Sequence, residues 1–217
     1  MSQLFPRSAN RIARLTLIGL ALAIPLFIGL WALSLQSPNN TGMGTAVEQP
    51  IAFSHEIHAG RLDISCIYCH TTAETSPFAG MPSTQQCMTC HSQIVQGLPD
   101  VEALAASLQQ NIPIEWHRVY NLPDYVYFDH SAHVNGGIAC ETCHGRVDQM
   151  SVVSQAVPLT MDWCLSCHRN PTPNIRPVAD VAVMGWQPSA NDQAAATPLE
   201  QYAINTMHLT DCDICHR

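Results

Sequence analysis

A five-residue pattern, Cys-x-x-Cys-His, occurs five times in the chain of 217 residues and contains all ten of its cysteines. Two cysteines three positions apart on a helical turn project to the same side, so each pair can form two thioethers with one porphyrin. The histidine that follows is then held beneath the ring, where it can bind the iron. We number these patterns as frames one to five: Cys66–His70, Cys87–His91, Cys140–His144, Cys164–His168 and Cys212–His216.

The frames predict five haem c groups, each held by two thioethers and one proximal histidine. The expected thioether positions are Cys66, Cys69, Cys87, Cys90, Cys140, Cys143, Cys164, Cys167, Cys212 and Cys215. The expected proximal ligands are His70, His91, His144, His168 and His216. Zinc is the alternative, because two Cys-x-x-Cys pairs can form a Cys₄ site. Five pairs do not divide evenly into Cys₄ sites, and zinc does not require a histidine after every pair.

Six of the eleven histidines lie outside the frames and could serve as distal ligands. Four of them occur in a repeated motif, Phe-x-His-x-x-His, which contains His55 and His58 before frame one and His130 and His133 before frame three. Histidines three positions apart share a helix face but diverge in direction, so each motif is expected to ligate two neighbouring haems. His208 precedes frame five and is the fifth expected distal ligand.

The order of motifs indicates an internal duplication. The histidine pair, the first frame and the second frame recur at offsets of 75, 74 and 77 residues, which is typical of a repeated structural unit. Module one therefore contains frames one and two, and module two contains frames three and four. A capping-box signal beginning at Thr197, with Pro198 next, predicts a short helix that leads to His208.

Three residues are further distal candidates. Met161 and Met81 each precede a frame, and methionine ligation would raise the potential of a haem relative to two histidines. A methionine beside a haem is more often a packing residue than a ligand. His117 lies in the segment between the modules, where a surface position is the alternative role.

The N-terminal segment predicts a membrane anchor. Residues 15–35 carry no charge and would span about 31 Å as a helix, enough to cross a bilayer core. Arg7, Arg11 and Arg14 precede the span, so the N-terminus is expected in the cytoplasm and the rest of the chain on the periplasmic side. A cleaved signal peptide is the alternative, but its apolar region would be shorter and a small-x-small site would follow.

The composition excludes some classes of function. The formal net charge is −8 with only nine lysines and arginines, so no nucleic-acid partner is expected, because phosphate binding needs a basic face. The predicted fold is mostly α-helical and irregular, wrapped around a chain of haems. Its predicted divisions are an anchor (1–36), a linker (37–50) and a pentahaem domain (51–217), which comprises a di-haem module (51–99), an insertion (100–124), a second module (125–178) and the fifth haem (179–217).

The motif Phe-x-His-x-x-His followed by Cys-x-x-Cys-His resembles class III multihaem cytochromes c. The full layout, with LPDYVYFDHSAH and MDWCLSCHRNP, is similar to the pentahaem subunit of bacterial alternative complex III. That resemblance implies a complex in the bacterial cytoplasmic membrane that oxidises menaquinol. Implied partners are an iron–sulfur subunit, polytopic quinol-binding subunits, a monohaem cytochrome c, membrane lipid and a small soluble or membrane-bound electron acceptor. Related chains are expected to carry histidine where Tyr120 stands here.

The expected role is electron relay rather than catalysis by this chain alone, because an iron with two protein ligands has no position for substrate. A stand-alone, membrane-anchored quinol dehydrogenase of the type that serves nitrate and nitrite reductases is the main alternative. A multihaem enzyme such as a nitrite reductase would require an iron without a distal ligand, and six spare histidines argue against that.

Overall fold

The computed structural model describes residues 6, 8–188, 202 and 204–216. The chain divides into two compact units, Met1–Gly42 and Met43–Arg217. The helix predicted from Thr197 lies outside the described residues.

The first unit is dominated by one long helix. Helix α1 extends over Ala9–Leu35 and contains Pro25, and a single turn, α2, follows at Pro38–Thr41. The apolar side chains of α1 are exposed to the surroundings. Among the described residues, α1 is the one helix that is long and apolar enough to cross a membrane. Its bounds contain the uncharged stretch 15–35 that predicted the anchor.

The second unit consists of short helices joined by irregular segments. Its α-helices are α3 (Cys66–Cys69), α4 (Thr84–His91), α5 (Pro99–Gln110), α6 (His130–Asn135), α7 (Cys140–His144), α8 (Met161–Arg169) and α9 (Cys212–Cys215). A π-helical turn covers Glu56–Arg61, and 3₁₀ turns cover Val147–Gln149, Thr172–Asn174 and Val178–Asp180. Extended pairing in the described part of the chain is limited to three isolated bridges. The predicted fold class, mostly helical and irregular, is confirmed.

Every frame begins a helix or lies within one. Frames one, three and five start α3, α7 and α9, whereas frames two and four lie in the C-terminal parts of α4 and α8. Ser83 caps α4 by accepting from the main-chain N–H of Gln86, and Thr160 caps α8 by accepting from that of Trp163. Serine and threonine are preferred at this position because they satisfy an N–H group that the helix leaves unpaired.

The protein core of the second unit is small. The buried apolar side chains in its described residues include Ile51, Val101, Leu104, Val134 and Val181. Much larger apolar side chains remain exposed, among them Phe78 (70%) and Tyr125 (64%). A chain of this size normally stabilises itself by burying such groups. The apolar surface of this unit is therefore arranged for contact with something other than its own side chains.

The two modules contact each other through the π-helical turn and the 3₁₀ turn at Val147–Gln149. The main-chain N–H of Glu56 donates to the carbonyl oxygen of Met150 at 3.0 Å. Gly60 approaches the main-chain carbonyl of Asp148 so closely that a Cβ atom at this position would overlap its oxygen. Glycine is required here because neither main chain can move away without breaking the contact between the modules.

Gly60→Ala should therefore destabilise the second unit. Overpacking of this kind costs roughly 1–3 kcal/mol, which corresponds to a fall of roughly 2–12 °C in Tm. Thermal unfolding followed by far-UV circular dichroism measures the effect. Gly29→Ala in α1 of the first unit is the control for the glycine-to-alanine change itself, because nothing lies within 4 Å of the Cβ position there. An unchanged Tm for Gly60→Ala would contradict the close approach.

Candidate functional site

The histidines of the two Phe-x-His-x-x-His motifs lie opposite histidines of the frames. Three such pairs have their ring centroids at closely similar distances. The pairs are His58 with His91 at 6.1 Å, His130 with His144 at 6.4 Å and His133 with His168 at 6.1 Å.

These separations match the requirement for binding one metal ion between two imidazoles. A metal–nitrogen bond to imidazole is about 2 Å long, and the ring centroid lies roughly 1 Å beyond the bonded nitrogen. Two rings that bind one metal from opposite sides therefore have centroids about 6 Å apart.

The fourth pair completes the pattern of the repeat. In module two the first histidine of the motif, His130, faces frame three, and the second, His133, faces frame four. In module one His58 faces frame two, which leaves His55 for frame one. His70 of frame one is close enough to His55 to contribute to lowering its pKa, after the larger effect of burial.

Hydrogen bonds leave the second ring nitrogen of most of these histidines free for a metal. Nδ1 of His70 donates to the carbonyl oxygen of Gly80, and Nδ1 of His130 donates to that of Pro77, both at 2.7 Å. A carbonyl oxygen can only accept, so Nδ1 carries the proton and Nε2 keeps its lone pair. The same holds for His58 with Ser54, His133 with Asp129, His168 with Leu209 and His216 with Tyr125.

The phenylalanine of each motif fixes both histidine rings in the same geometry. The Phe53 ring meets His55 edge-on at 4.8 Å and stacks on His58 at 4.4 Å. The Phe128 ring meets His130 edge-on at 4.8 Å and stacks on His133 at 4.4 Å. The duplication predicted from the sequence is therefore repeated in the side-chain packing of the motif.

The residue between the phenylalanine and the first histidine is Ser54 in module one and Asp129 in module two, and each accepts two kinds of hydrogen bond. Its side chain accepts from main-chain N–H groups at the start of the turn: Asp129 from Ser131 at 2.8 Å, and Ser54 from Ile57 at 3.4 Å. Its carbonyl oxygen accepts from Nδ1 of the second histidine. The preference for Ser and Asp at helix N-termini was the signal in the sequence that could have identified these positions.

Burial keeps several of the histidines neutral. Burial is the main cause that lowers the pKa of His55 to about 4, and that of His144 to about 4 as well. Burial also lowers the pKa of His133. Desolvation penalises the charged imidazolium, and only the neutral ring can bind a metal. The environment therefore favours the form of histidine that ligation requires.

Frame five differs from the other four. The ring of His216 stacks against Tyr125 at 5.9 Å, and among the ring contacts of the described residues it is not paired with a second histidine. His208 is exposed, and its Nδ1 lies 2.8 Å from the carboxylate of Asp211. The structure therefore does not bring His208 and His216 together as it does the other pairs.

The three remaining candidates are all exposed. His117 is exposed, and its Nδ1 donates to the carbonyl oxygen of Glu48 at 2.7 Å. Met81 and Met161 are 60% and 67% exposed. The Tyr120 ring lies edge-on to His144 at 4.5 Å, and its hydroxyl accepts from the N–H of Ala156. A separation of 4.5 Å between the ring centroids is shorter than the about 6 Å expected for two rings that bind one metal from opposite sides. Tyr120 is therefore a packing neighbour of His144.

Two features near the site were not predicted from the sequence. The turn from Pro77 to Gly80 accepts hydrogen bonds from histidines of both modules. Arg176, only 4% exposed, pairs with the Glu141 carboxylate of frame three at 3.0 Å and lies over the Trp186 ring. Both depend on contacts between residues far apart in the chain, and no local motif marks them.

Comparisons with known proteins agree with this arrangement. Residues 126–217 match the family model described as cytochrome c7 and related cytochrome c, and residues 32–118 match the class III cytochrome C family. The chain is 28% identical over 196 residues to the menaquinone reductase, multiheme cytochrome c subunit of Nitratidesulfovibrio vulgaris. That alignment covers 90% of this chain and 77% of the relative. Matches to cytochrome c families in both halves imply haem c as the cofactor.

The structure fits that cofactor. The imidazole pairs have the separation that one metal requires, and exposed apolar side chains such as Tyr68 and Ile214 lie within the frames themselves. Nδ1 of His55 and Nδ1 of His91 are buried without a hydrogen-bond partner in the described part of the chain. Buried polar atoms of this kind are costly in a finished protein core. The protein atoms of the described residues therefore leave hydrogen-bonding groups of this region unsatisfied.

The lowered histidine pKa values predict acid sensitivity. Between pH 6.5 and about 4 the unfolded chain binds protons at the positions of His55 and His144 that the folded chain does not. Stability is therefore full above pH 6.5 and falls as the pH drops towards 4. Metal ligation acts in the same direction, because it also requires the neutral ring. Urea unfolding of the holoprotein at pH 7, 5.5 and 4.5 should give successively lower midpoints. A midpoint that stays constant or rises on acidification would contradict this.

Proposed function

We propose that this chain, a multihaem cytochrome c, is the electron-relay subunit of a membrane complex that oxidises menaquinol, of the alternative complex III type. The observation that carries the proposal is the set of histidine pairs with 6.1 to 6.4 Å between ring centroids. A haem iron held by an imidazole on each side exchanges single electrons but has no position for a substrate. The chain would thus conduct electrons and leave bond chemistry to its partners.

We assign one haem c to each frame. The two cysteines of a frame form the thioethers, and its histidine is the proximal ligand. The distal ligands are His55 for frame one, His58 for frame two, His130 for frame three and His133 for frame four. The ring contacts support three of these pairs, and the repeat supports the fourth.

For frame five we assign His208 as the distal ligand. Nδ1 of His208 faces the Asp211 carboxylate at 2.8 Å. A carboxylate in this position fixes the tautomer with the proton on Nδ1 and makes Nε2 a better metal ligand. This hydrogen bond distinguishes His208 from His117, whose Nδ1 partner is a main-chain carbonyl.

We assign α1 as an uncleaved anchor in the cytoplasmic membrane. The helix is 27 residues long and apolar, and the arginines before the span favour a cytoplasmic N-terminus. The haem-binding unit would then lie on the periplasmic side. Its partners in the complex would be an iron–sulfur subunit, polytopic quinol-binding subunits and a monohaem cytochrome c.

Electron flow in the opposite direction is the second candidate function. The relative from Nitratidesulfovibrio vulgaris is named as a subunit of a menaquinone reductase. A complex of that kind would pass electrons towards the quinone pool, and the same haem-binding chain could serve either direction. The potentials of the haems relative to the pool decide between the two.

The complex itself tests this proposal. Purification in mild detergent should recover the chain with additional subunits, and a menaquinol analogue should reduce the oxidised haems. If a menaquinone analogue instead oxidises the pre-reduced haems while the quinol leaves oxidised haems unchanged, the second candidate is correct. If the chain is recovered alone and oxidises quinol unaided, it is a stand-alone quinol dehydrogenase, and the assignment as a subunit is wrong.

His130→Ala tests the ligand assignment in the intact chain. Removal of one imidazole should convert the iron of frame three to high spin, so that the low-spin EPR intensity falls by about a fifth if five haems are bound. The haem should stay attached, because Cys140 and Cys143 are unchanged.

Cys140→Ser is the matched variant, because it weakens the attachment of the same haem and leaves both histidines in place. The pyridine haemochrome assay with metal analysis should give five haems and no zinc for the unmodified chain, and a loss approaching one haem for Cys140→Ser. If His130→Ala keeps all its irons low-spin, the assignment of His130 is wrong.

A further inference from the structure

The contacts that link the five frames, directly or through short connecting segments, follow an order that differs from the order of the frames in the sequence. Frames one and two are joined directly: the side-chain amide of Gln86 donates to the carbonyl oxygen of Tyr68 at 3.1 Å, and the Tyr68 hydroxyl lies 3.5 Å from that of Thr89. The first motif also supplies one histidine to each of these frames.

Frame one, rather than frame two, leads on to module two. The turn at Pro77 to Gly80 holds His70 of frame one at one end and His130, which faces frame three, at the other, each by a 2.7 Å hydrogen bond. A second connection passes through the chain at 181–182. The Cys66 thiol contacts the carbonyl oxygen of Ala182 at 3.7 Å, and the N–H of Cys140 donates to that of Val181 at 3.0 Å.

Frame five continues from frame four. Nδ1 of His168 donates to the carbonyl oxygen of Leu209 at 2.7 Å, three residues before frame five begins. On its other side, frame five is held by the segment before Phe128, through the N–H of Tyr127 and the carbonyl oxygen of Cys215 at 2.8 Å. Frames three and four are linked to each other by the second motif.

Frame two is next to helix α5, which contains no frame. Helix α4, which carries it, packs against α5, and the hydroxyls of Thr84 and Ser107 lie 3.0 Å apart. Of the ten cysteines, the two that are exposed are Cys90 of frame two and Cys212 of frame five. The frames with exposed cysteines are therefore the two that have only one neighbouring frame in these contacts.

We infer that the haem sites form one unbranched series in the order two, one, three, four, five, and that electrons enter and leave the chain at frames two and five. This inference rests on the proposed assignment of one haem to each frame. It gives the two ends distinct roles: one redox partner docks beside frame two, and the other beside frame five. Loss of the haem at frame one would then interrupt the series, whereas loss of the haem at frame two would only shorten it.

Injection of electrons at one end tests the order. The experiment uses the full-length holoprotein in detergent with the substitution Met207→Cys, because Met207 is 82% exposed and lies near frame five. The new cysteine is labelled with a ruthenium photosensitiser, and a sacrificial electron donor is added. After a flash, the absorbance of the α-band counts how many haems are reduced in the fast phase. Two variants are compared: Cys66→Ser with Cys69→Ser, which removes the haem of frame one, and Cys87→Ser with Cys90→Ser, which removes that of frame two.

The inferred order predicts opposite outcomes for the two variants. The variant without the first haem should reduce three of its four haems in the fast phase, because the haem of frame two is cut off. The variant without the second haem should reduce all four. The reverse pattern would show that the haems follow the order of the sequence, and full reduction in both variants would show a branched arrangement. Either result overturns the inference.

A second pair of variants keeps every haem attached. His55→Met raises the potential of the haem in frame one, and His58→Met that of the haem in frame two. In a redox titration, the altered centre should shift the midpoints of two neighbours in His55→Met but of one neighbour in His58→Met. The opposite counts contradict the order. The haem content and spin state of the unmodified chain are measured first, so a failure of the five-haem proposal is seen separately from a failure of the order.

Discussion

The geometry of this protein depends on the hydrogen bond from Nδ1 of a histidine to a main-chain carbonyl. Six of the histidines in the motifs and frames make this contact. Each such bond fixes the tautomer and the orientation of a ring, and leaves Nε2 free. Three of the six acceptors, Pro77, Leu209 and Tyr125, lie 53, 41 and 91 residues from their histidines, so these three bonds also join distant parts of the fold. The same backbone segments therefore orient the histidine rings and stabilise the fold.

This arrangement explains how so little protein core is sufficient. The second unit buries few large side chains and leaves aromatic residues such as Phe78 and Tyr125 exposed. Its helices are mostly one or two turns long, too short to be stable alone. With one haem in each frame, as proposed, haem would supply both the missing apolar contact and a crosslink. A sequence with a repeated pair of histidines can then use the same local packing twice, as the matching contacts of Phe53 and Phe128 illustrate.

The sequence predicted the parts that depend on local spacing. The mostly helical and irregular fold was correct, and the stretch 15–35 lies inside one long helix. The ligand roles of His58 and His133 remain predictions, although the distances are those that the roles require. The connection of frame one to frame three was not predictable. It depends on a hydrogen bond between Pro77 and His130, 53 residues apart, and turn composition alone gives no indication of such a partner. For His208, the neighbour Asp211 is visible in the sequence, but the ring contacts of the described residues do not pair His208 with a second histidine.

The most direct test of the central claim is near-infrared magnetic circular dichroism of the fully oxidised holoprotein, which reports the two axial ligands of each low-spin ferric haem. If pairs of imidazoles hold the irons, the spectrum contains the charge-transfer band of bis-histidine ligation with an intensity that corresponds to at least four haems. A dominant histidine–methionine band, or a high-spin signal that accounts for more than one haem, would contradict the account.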